Sequence, residues 1–267
     1  DDVILLEDLN AEIAPFAGGG KVRMTGRVDT NAPSQEDATL DIHADGVEFT
    51  SHLRTALTAL LRDDGNLYDR FAPTGRTDVS VQVRPRSTAP SVWSVEVRPK
   101  AATMQWAGFP YQLHQLEGSV LVRSDGASFE LRGKHGDGAL SMHGRLPIDD
   151  EHEVEGIGFE AVVQLENLAI DDELRSAVAV IAKEIDAPWQ KSEARGRLGG
   201  QVKVWRPHGK DPLFHDVRID LDGVDLRLPA APWRAKDLHG QMFAQGSGAD
   251  TRIDFDALRG RLEHGNG

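Results

Sequence analysis

Alternation of apolar and polar residues is the feature that most constrains this chain. In segment after segment, apolar residues fill every second position, which is typical of β-strands with one buried face and one face in water. Stretches rich in glycine and aspartate separate these segments, and such residues accept the positive φ of tight hairpin turns. The sequence therefore predicts antiparallel strands joined by short connections. The predicted turns are Ser124-Asp125-Gly126, Gly136-Asp137-Gly138, Asp222-Gly223 and Gly246-Ser247-Gly248.

Two windows break the alternation and predict helices. After Thr50-Ser51, apolar residues recur with helical spacing, and this helix is predicted to end near Asp64-Gly65. Asp171 can cap a second helix, which is predicted to stop before Pro188 because proline lacks the backbone N–H. The apolar faces of the two helices comprise Leu53, Leu57, Leu60 and Leu61 in the first and Leu174, Val178, Ile181 and Ile185 in the second.

The two helices also reveal an internal repeat. A shift of 121 residues overlays Arg54 on Arg175 and Gly75 on Gly196, and a shift of 122 overlays Gly118 on Gly240. Each unit contains a strand, a helix, an irregular segment and several strands in series. We therefore predict the tail of a preceding unit over residues 1–38, one unit over 39–150, and a second, incomplete unit over 151–267. Further matched pairs are Leu53 with Leu174, Val81 with Val202, Val83 with Val204, Val95 with Val217 and Val97 with Ile219.

The apolar face of each predicted strand must be covered. Two helices of about a dozen residues can cover only part of a sheet of roughly a dozen strands. The rest of the face can meet a second sheet, close on itself, or bind a ligand with an apolar body. Leaving a whole face in water is unfavourable, because each Å² of apolar area costs about 25 cal/mol. The alternation alone does not choose among these three solutions.

Composition excludes several classes of function. Thirty basic residues stand against 43 acidic ones, and the resulting net charge of −13 disfavours binding to nucleic acid. The chain contains no cysteine, so disulfides, thiolate metal sites and a cysteine nucleophile are excluded. No apolar run approaches the ~20 residues that a membrane-spanning helix needs.

Candidate chemical motifs are weak. The run Asp149-Asp150-Glu151-His152-Glu153 has oxygen and imidazole groups that could bind a divalent cation, but a solvated loop explains it more simply. The histidines form no i, i+4 pair, and no G-x-S-x-G nucleophile motif is present. We therefore predict no enzymatic activity, no metal site and no cofactor.

Two basic segments have two interpretations. Arg84-Pro85-Arg86 and Arg98-Pro99-Lys100 are expected at the ends of two neighbouring strands, where their charges could form a cluster that meets lipid phosphates. The favoured interpretation is edge protection, because proline and charge at strand ends discourage association between sheets.

Two segments carry a resemblance to a known family. One runs from Leu168 through a capped helix to Glu193-Ala194-Arg195-Gly196-Arg197-Leu198, and the other is Phe109-Pro110-Tyr111-Gln112-Leu113-His114-Gln115-Leu116-Glu117-Gly118. Their arrangement resembles the repeat of bacterial AsmA-like proteins, which share their design with the eukaryotic bridge-like lipid-transfer proteins. The resemblance implies a mainly β fold with a few short helices (α+β), in which repeats of about 120 residues form an extended, curved antiparallel β-groove.

The resemblance also implies a function and a location. It implies a segment of a protein that spans the bacterial envelope, is anchored to the membrane by segments outside this chain, and lies in the periplasm. The partner is then a phospholipid or another acyl lipid, whose chains the apolar groove shields during transfer without chemistry. The alternative is a structural or adhesive β-rich module with a closed protein core. The candidate lining residues are Val79, Val81, Val83, Trp93, Val95, Val97, Val120, Val122, Val202, Val204, Val217, Ile219 and Leu221.

Overall fold

Regular strands dominate the structure, a computed structural model that describes residues 3–12, 19–29, 39–61, 66–84, 92–123, 126–146, 158–181, 183–207, 211–228, 232–247 and 250–264. The four helices within these ranges are α1 (Ser51–Leu61), α2 (Asn66–Phe71), α3 (Asp172–Ile181) and α4 (Lys183–Ser192). The strands are β1 (Val3–Glu12), β2 (Lys21–Asp29), β3 (Thr39–Glu48), β4 (Thr74–Arg84), β5 (Val92–Trp106), β6 (Phe109–Arg123), β7 (Gly126–His135), β8 (Gly138–Leu146), β9 (Phe159–Ala169), β10 (Arg195–Arg206), β11 (Phe214–Arg227), β12 (Trp233–Ser247) and β13 (Asp250–His264).

The strands form one open antiparallel sheet in chain order, from β1 to β13. The predicted mainly β, antiparallel fold with a few short helices is thereby confirmed, and within the described residues no second sheet covers the first. The fold divides into two compact units. The first comprises Asp1–Met104, Gln115–Leu131 and Arg145–Glu153, and the second comprises Gln105–His114, Arg132–Gly144 and Val154–Gly267.

β-Bulges interrupt the alternation without turning the apolar residues to the other face. In β11 the apolar positions are odd-numbered up to Leu221 and even-numbered from Val224, and left-handed Gly223 lies between them (φ 60°). The bulge inserts one extra residue into β11, and one insertion shifts the alternation by one position. Leu221 and Val224 therefore project to the same face although one number is odd and the other is even. The prediction of a hairpin at Asp222-Gly223 was therefore wrong, and the segment is one continuous strand. Similar left-handed residues lie at Gly46, Ala101, Asn167, Asp237 and Ala257.

The structure confirms the predicted cap of α3 but not the predicted end of this helical region. The Asp171 carboxylate accepts a hydrogen bond from the Leu174 N–H at 2.8 Å, which caps α3 as predicted. Pro188 was predicted to end this helical region, but it lies inside α4. A separate helix, α4, begins at Lys183 and contains Pro188 in its interior. Proline has no backbone N–H, so α4 lacks one hydrogen bond at this position. The short helix α2 was not predicted, and the side chains of Leu60, Leu61, Ile181 and Ile185 lie outside those that the structure describes.

Matching contacts occur in the two predicted repeat units. Arg54 of α1 binds Asp69 of α2 at 2.6 Å, and Arg175 of α3 binds Asp186 of α4 at the same distance. The Phe49 N–H donates to the Gly75 carbonyl, and 121 residues later the Ile170 N–H donates to the Gly196 carbonyl. These contacts support the repeat, which stays a prediction.

Candidate functional site

The candidate lining residues of the first unit lie in a protein core. Val95 is 1% exposed and Val81 is 4% exposed, and both belong to a cluster with Leu57 of α1. Such exposure is typical of side chains that protein atoms surround on all sides. The face is therefore filled by polypeptide at these positions. Val79 and Val122 are buried in the same cluster, and Val83, Trp93, Val97 and Val120 are half-buried against it.

The candidate residues of the second unit lie on one face and are all only half-buried. Val202 of β10 is directly opposite Val217 of β11, which is in turn opposite Ala244 of β12. Ile219 is opposite Met242 in the neighbouring row. Directly opposite residues of antiparallel strands project to the same side, so these rows form a continuous apolar surface. The candidates with this intermediate exposure are Val202, Val204, Val217, Ile219 and Leu221.

The opposite face of the same strands is charged. Lys203 of β10 binds the carboxylate of Glu160 of β9 at 3.0 Å, and its ammonium lies 5.5 Å from the ring centroid of Trp205. Gln241 of β12 donates a hydrogen bond to Asp220 of β11 at 2.7 Å. The second unit is therefore an amphipathic sheet, with charge on one face and aliphatic side chains on the other.

The apolar face continues onto β13 and becomes more exposed there. Ile253 is opposite Ala244, and Phe255 is opposite Met242, so both extend the apolar rows. Ile253 is 57% exposed and Phe255 is 60% exposed. Large apolar side chains this exposed in one contiguous surface mark a site of interaction more often than an isolated exposed residue does.

A basic depression of about 270 Å³ lies on the charged face of the second unit. Arg234 binds Glu193 at 2.8 Å, and Lys236 binds Asp225 at 2.7 Å. The Lys236 ammonium and the Asp237 N–H hold the pKa of Asp225 below its usual range. The lining residues are Glu193, Arg195, Asp225, Leu226, Arg227, Arg234, Ala235 and Lys236, which gives four basic side chains against two acidic ones.

The sequence did not predict this depression, because its four basic residues are distributed over three strands, β10, β11 and β12. The two basic segments that it did identify are not brought together. Arg84 is opposite Val92 at one end of the β4–β5 pair, whereas Arg98 is opposite Asp78 in the middle of the pair. The prediction that Arg98-Pro99-Lys100 lies at a strand end was wrong, because β5 continues to Trp106. The alternative interpretation, a basic cluster, therefore does not hold for these two residues. Each binds an acidic neighbour instead: Arg84 binds Asp41 at 2.6 Å and Arg98 binds Glu96 at 2.8 Å.

The remaining candidate motifs add no site. The acidic run at residues 149–153 lies outside the described residues. Within the described ranges, no three His, Asp or Glu side chains are grouped closely enough to hold a metal ion. None of the described helices is long and apolar enough to cross a bilayer.

Comparison with known proteins finds no protein-family model, no curated protein and no solved structure that matches this chain.

Proposed function

We propose that this chain is a segment of an envelope-spanning lipid-transfer protein. The apolar face of the second unit shields the acyl chains of a phospholipid or a similar lipid, and no bond is made or broken. One observation carries the proposal: Val202 and Val217 lie opposite each other on an apolar face and are only half-buried, whereas Val81 and Val95 of the first unit are sealed by protein.

The physical reason is the free energy of apolar surface in water. Each Å² of apolar surface that stays exposed to water costs about 25 cal/mol of free energy. An acyl chain that binds to the aliphatic face removes this area from water and needs no polar partner. Dispersion contacts between methyl groups and methylene groups add to the gain. The rows around Val202, Val217 and Ile219 are aliphatic, and they therefore suit a hydrocarbon chain better than a small polar metabolite.

The resemblance to AsmA-like repeats supports the same function and adds a location. It assigns the chain to the bacterial periplasm, with membrane anchorage through segments outside this chain. This part of the proposal is an analogy between folds. The open order of the strands is compatible with it, because a groove needs a sheet whose face is not covered by a second sheet.

A structural module with a closed protein core is the second candidate. The buried cluster of the first unit favours it, since Val95 and Val81 pack with Leu57 of α1 and leave no apolar surface free at these positions. The two functions differ in what covers the face around Val202 and Val217.

Lipid extraction distinguishes the two functions. The chain is purified from bacterial membranes and periplasm without detergent exchange, and bound lipid is extracted and quantified by mass spectrometry. Val202→Asp places a charge on the apolar face, and Gln201→Asp is the matched control because the neighbouring residue projects to the charged face.

The proposal expects phospholipid in near-stoichiometric amount in the wild-type chain and in Gln201→Asp. It expects loss of lipid in Val202→Asp with the fold retained, because a carboxylate on an open face stays hydrated. A closed core predicts a lipid-free wild-type chain and an unfolded Val202→Asp variant, because a buried unpaired carboxylate costs several kcal/mol.

A further inference from the structure

The apolar face of the second unit carries an arginine at the end of β10 that lies away from the helices. Val202, Val204 and Arg206 alternate along β10, and no bulge interrupts the pairing with β9 between these positions. Side chains two residues apart in a regular strand project to the same face, so Arg206 lies on the apolar face and not on the charged one. Its direct partner in β9 is another apolar residue, Phe159.

The guanidinium group of Arg206 lacks a hydrogen-bond partner that its burial requires. Its Nε atom is buried and has no acceptor, and within the described residues no carboxylate forms an ion pair with Arg206. An arginine on an apolar surface normally extends so that its charged group stays in water. Here the Nε–H is out of water instead, and a buried N–H without an acceptor is unfavourable. An oxygen acceptor bound at this end of the face would remove that cost.

A second nitrogen-bearing side chain lies at the same end of the face. His215 of β11 is directly opposite Val204, so its ring also projects to the apolar side. Its Nε2 atom lies 3.2 Å from the hydroxyl oxygen of Thr251 in β13. The rise of a strand is about 3.3 Å per residue, which places Arg206 about 13 Å along β10 from Val202. The face is therefore aliphatic around Val202 and Val217 and polar at its helix-distal end.

We propose that Arg206 binds the phosphate group of a phospholipid whose acyl chains lie on the aliphatic rows. The inference rests on the proposed function and adds an orientation to it. The headgroup lies at the end of β10 that is away from α3 and α4, and the acyl chains extend over Val204 and Val202 towards the bulges. A guanidinium group presents paired N–H donors that match the oxygens of a phosphate.

A single amphiphile satisfies both unfavourable features of this face. Its acyl chains remove aliphatic surface from water, and its phosphate supplies the acceptor that the Arg206 Nε–H lacks. A free anion would satisfy only the second feature, and the net charge of −13 repels it. The phosphate of a lipid headgroup is therefore favoured over free phosphate as the ligand of Arg206.

Two probes with the same acyl chains test the inference. Dioleoyl phosphatidic acid carries the phosphate, and dioleoylglycerol lacks it. The dissociation constant of each probe is measured for the lipid-depleted full chain by displacement of a fluorescent fatty-acyl lipid. The inference expects phosphatidic acid to bind about tenfold more tightly than dioleoylglycerol, because charge-assisted hydrogen bonds are stronger than neutral ones.

The ratio of the two dissociation constants is then compared among variants whose fold is checked by circular dichroism. Arg206→Gln removes the charge, and its ratio is expected to fall to about one. Arg206→Lys keeps the charge but loses the Nε–H and the paired donors, so a ratio of about three is expected; this variant carries the test if Arg206→Gln does not fold. The matched control is Arg218→Gln on the charged face, where Arg218 binds Asp220 at 3.6 Å, and it should keep the full ratio.

The outcomes distinguish this inference from the proposed function. Binding of neither probe overturns both. Equal binding of the two probes leaves the proposed function standing and overturns the inference alone, as does a full preference that persists in Arg206→Lys and Arg206→Gln. A preference that falls equally in Arg218→Gln reflects general attraction by charge and has the same meaning. Inorganic phosphate that binds the chain as tightly as phosphatidic acid does assigns Arg206 to a free anion and also overturns the inference.

Discussion

Truncating one valine in each unit measures directly which part of the apolar face is sealed by protein. Val95 is 1% exposed in the cluster around Leu57, so Val95→Ala removes two methyl groups from a packed interior. The lost transfer free energy is about 1.6 kcal/mol at about 0.8 kcal/mol per group, and the cavity raises the expected loss to about 2–3 kcal/mol. Val217→Ala is expected to cost only about 0.5–1 kcal/mol, because its side chain is half-buried and solvent can fill the space.

Urea unfolding of lipid-depleted protein is the appropriate measurement. The midpoint and the slope are recorded separately for each variant, since a changed slope would signal separate unfolding of the two units. In the presence of lipid, Val217→Ala should also reduce the stabilisation that lipid gives, whereas Val95→Ala should not. If Val217→Ala destabilised the lipid-depleted chain as strongly as Val95→Ala, the face of the second unit would be sealed by polypeptide and the proposed function would fail.

Three further predictions concern the framework of the sheet. Partial burial raises the pKa of Asp78, but the Lys100 ammonium and the Gly46 N–H outweigh it and hold the pKa below its usual range. Its ionised form therefore stabilises the fold above about pH 4 and loses this effect as the pH falls further, so Asp78→Asn should reduce the drop in melting temperature between pH 7 and pH 3. Gly46→Ala should cost about 1–2 kcal/mol in urea unfolding from its left-handed φ of 64° alone, because a Cβ there meets no other atom; an unchanged midpoint would contradict this. Arg175→Gln should lower the melting temperature more than Arg218→Gln, because Arg175 of α3 binds Asp186 of α4, whereas Arg218 binds Asp220 of its own strand; equal effects would mean that the ion pair between α3 and α4 does not stabilise the fold.

The strands were predictable because their signal is local. A period of two needs only the identity of neighbouring residues, and it located most of the strands correctly. The bulges were missed for a different reason. A left-handed residue is easy to recognise as a bulge or a turn only when it is glycine, whereas Ala101, Asn167, Asp237 and Ala257 adopt the same conformation. The switch from odd to even apolar positions was the available signal, and at Leu221 and Val224 it was interpreted as a hairpin.

The candidate site was less predictable because burial is set by distant residues. Val81 and Val202 have the same local pattern and match each other in the predicted repeat. Val81 is buried with Leu57 of α1, whereas Val202 is only half-buried. No pattern within either strand encodes this difference. The basic depression was hidden for a related reason, because strand register alone brings Arg195, Asp225 and Lys236 together.

The positions of the β-bulges explain why one face of the sheet has both buried and half-buried apolar side chains. In the second unit, α3 follows β9 directly, and α4 leads into β10, so both helices are connected to the same end of the strands. The bulges near this end keep the apolar residues on one face. On the helix side of the bulges, Leu168, Val224 and Ala235 are 1%, 2% and 4% exposed. Beyond the bulges, Val202 and Val217 share the same face but stay half-buried. Since a helix of ten residues is only about 15 Å long, it cannot cover a strand of 12 to 15 residues from end to end. The uncovered part follows from the lengths of the elements, and it is the part to which the proposed function assigns the acyl chains.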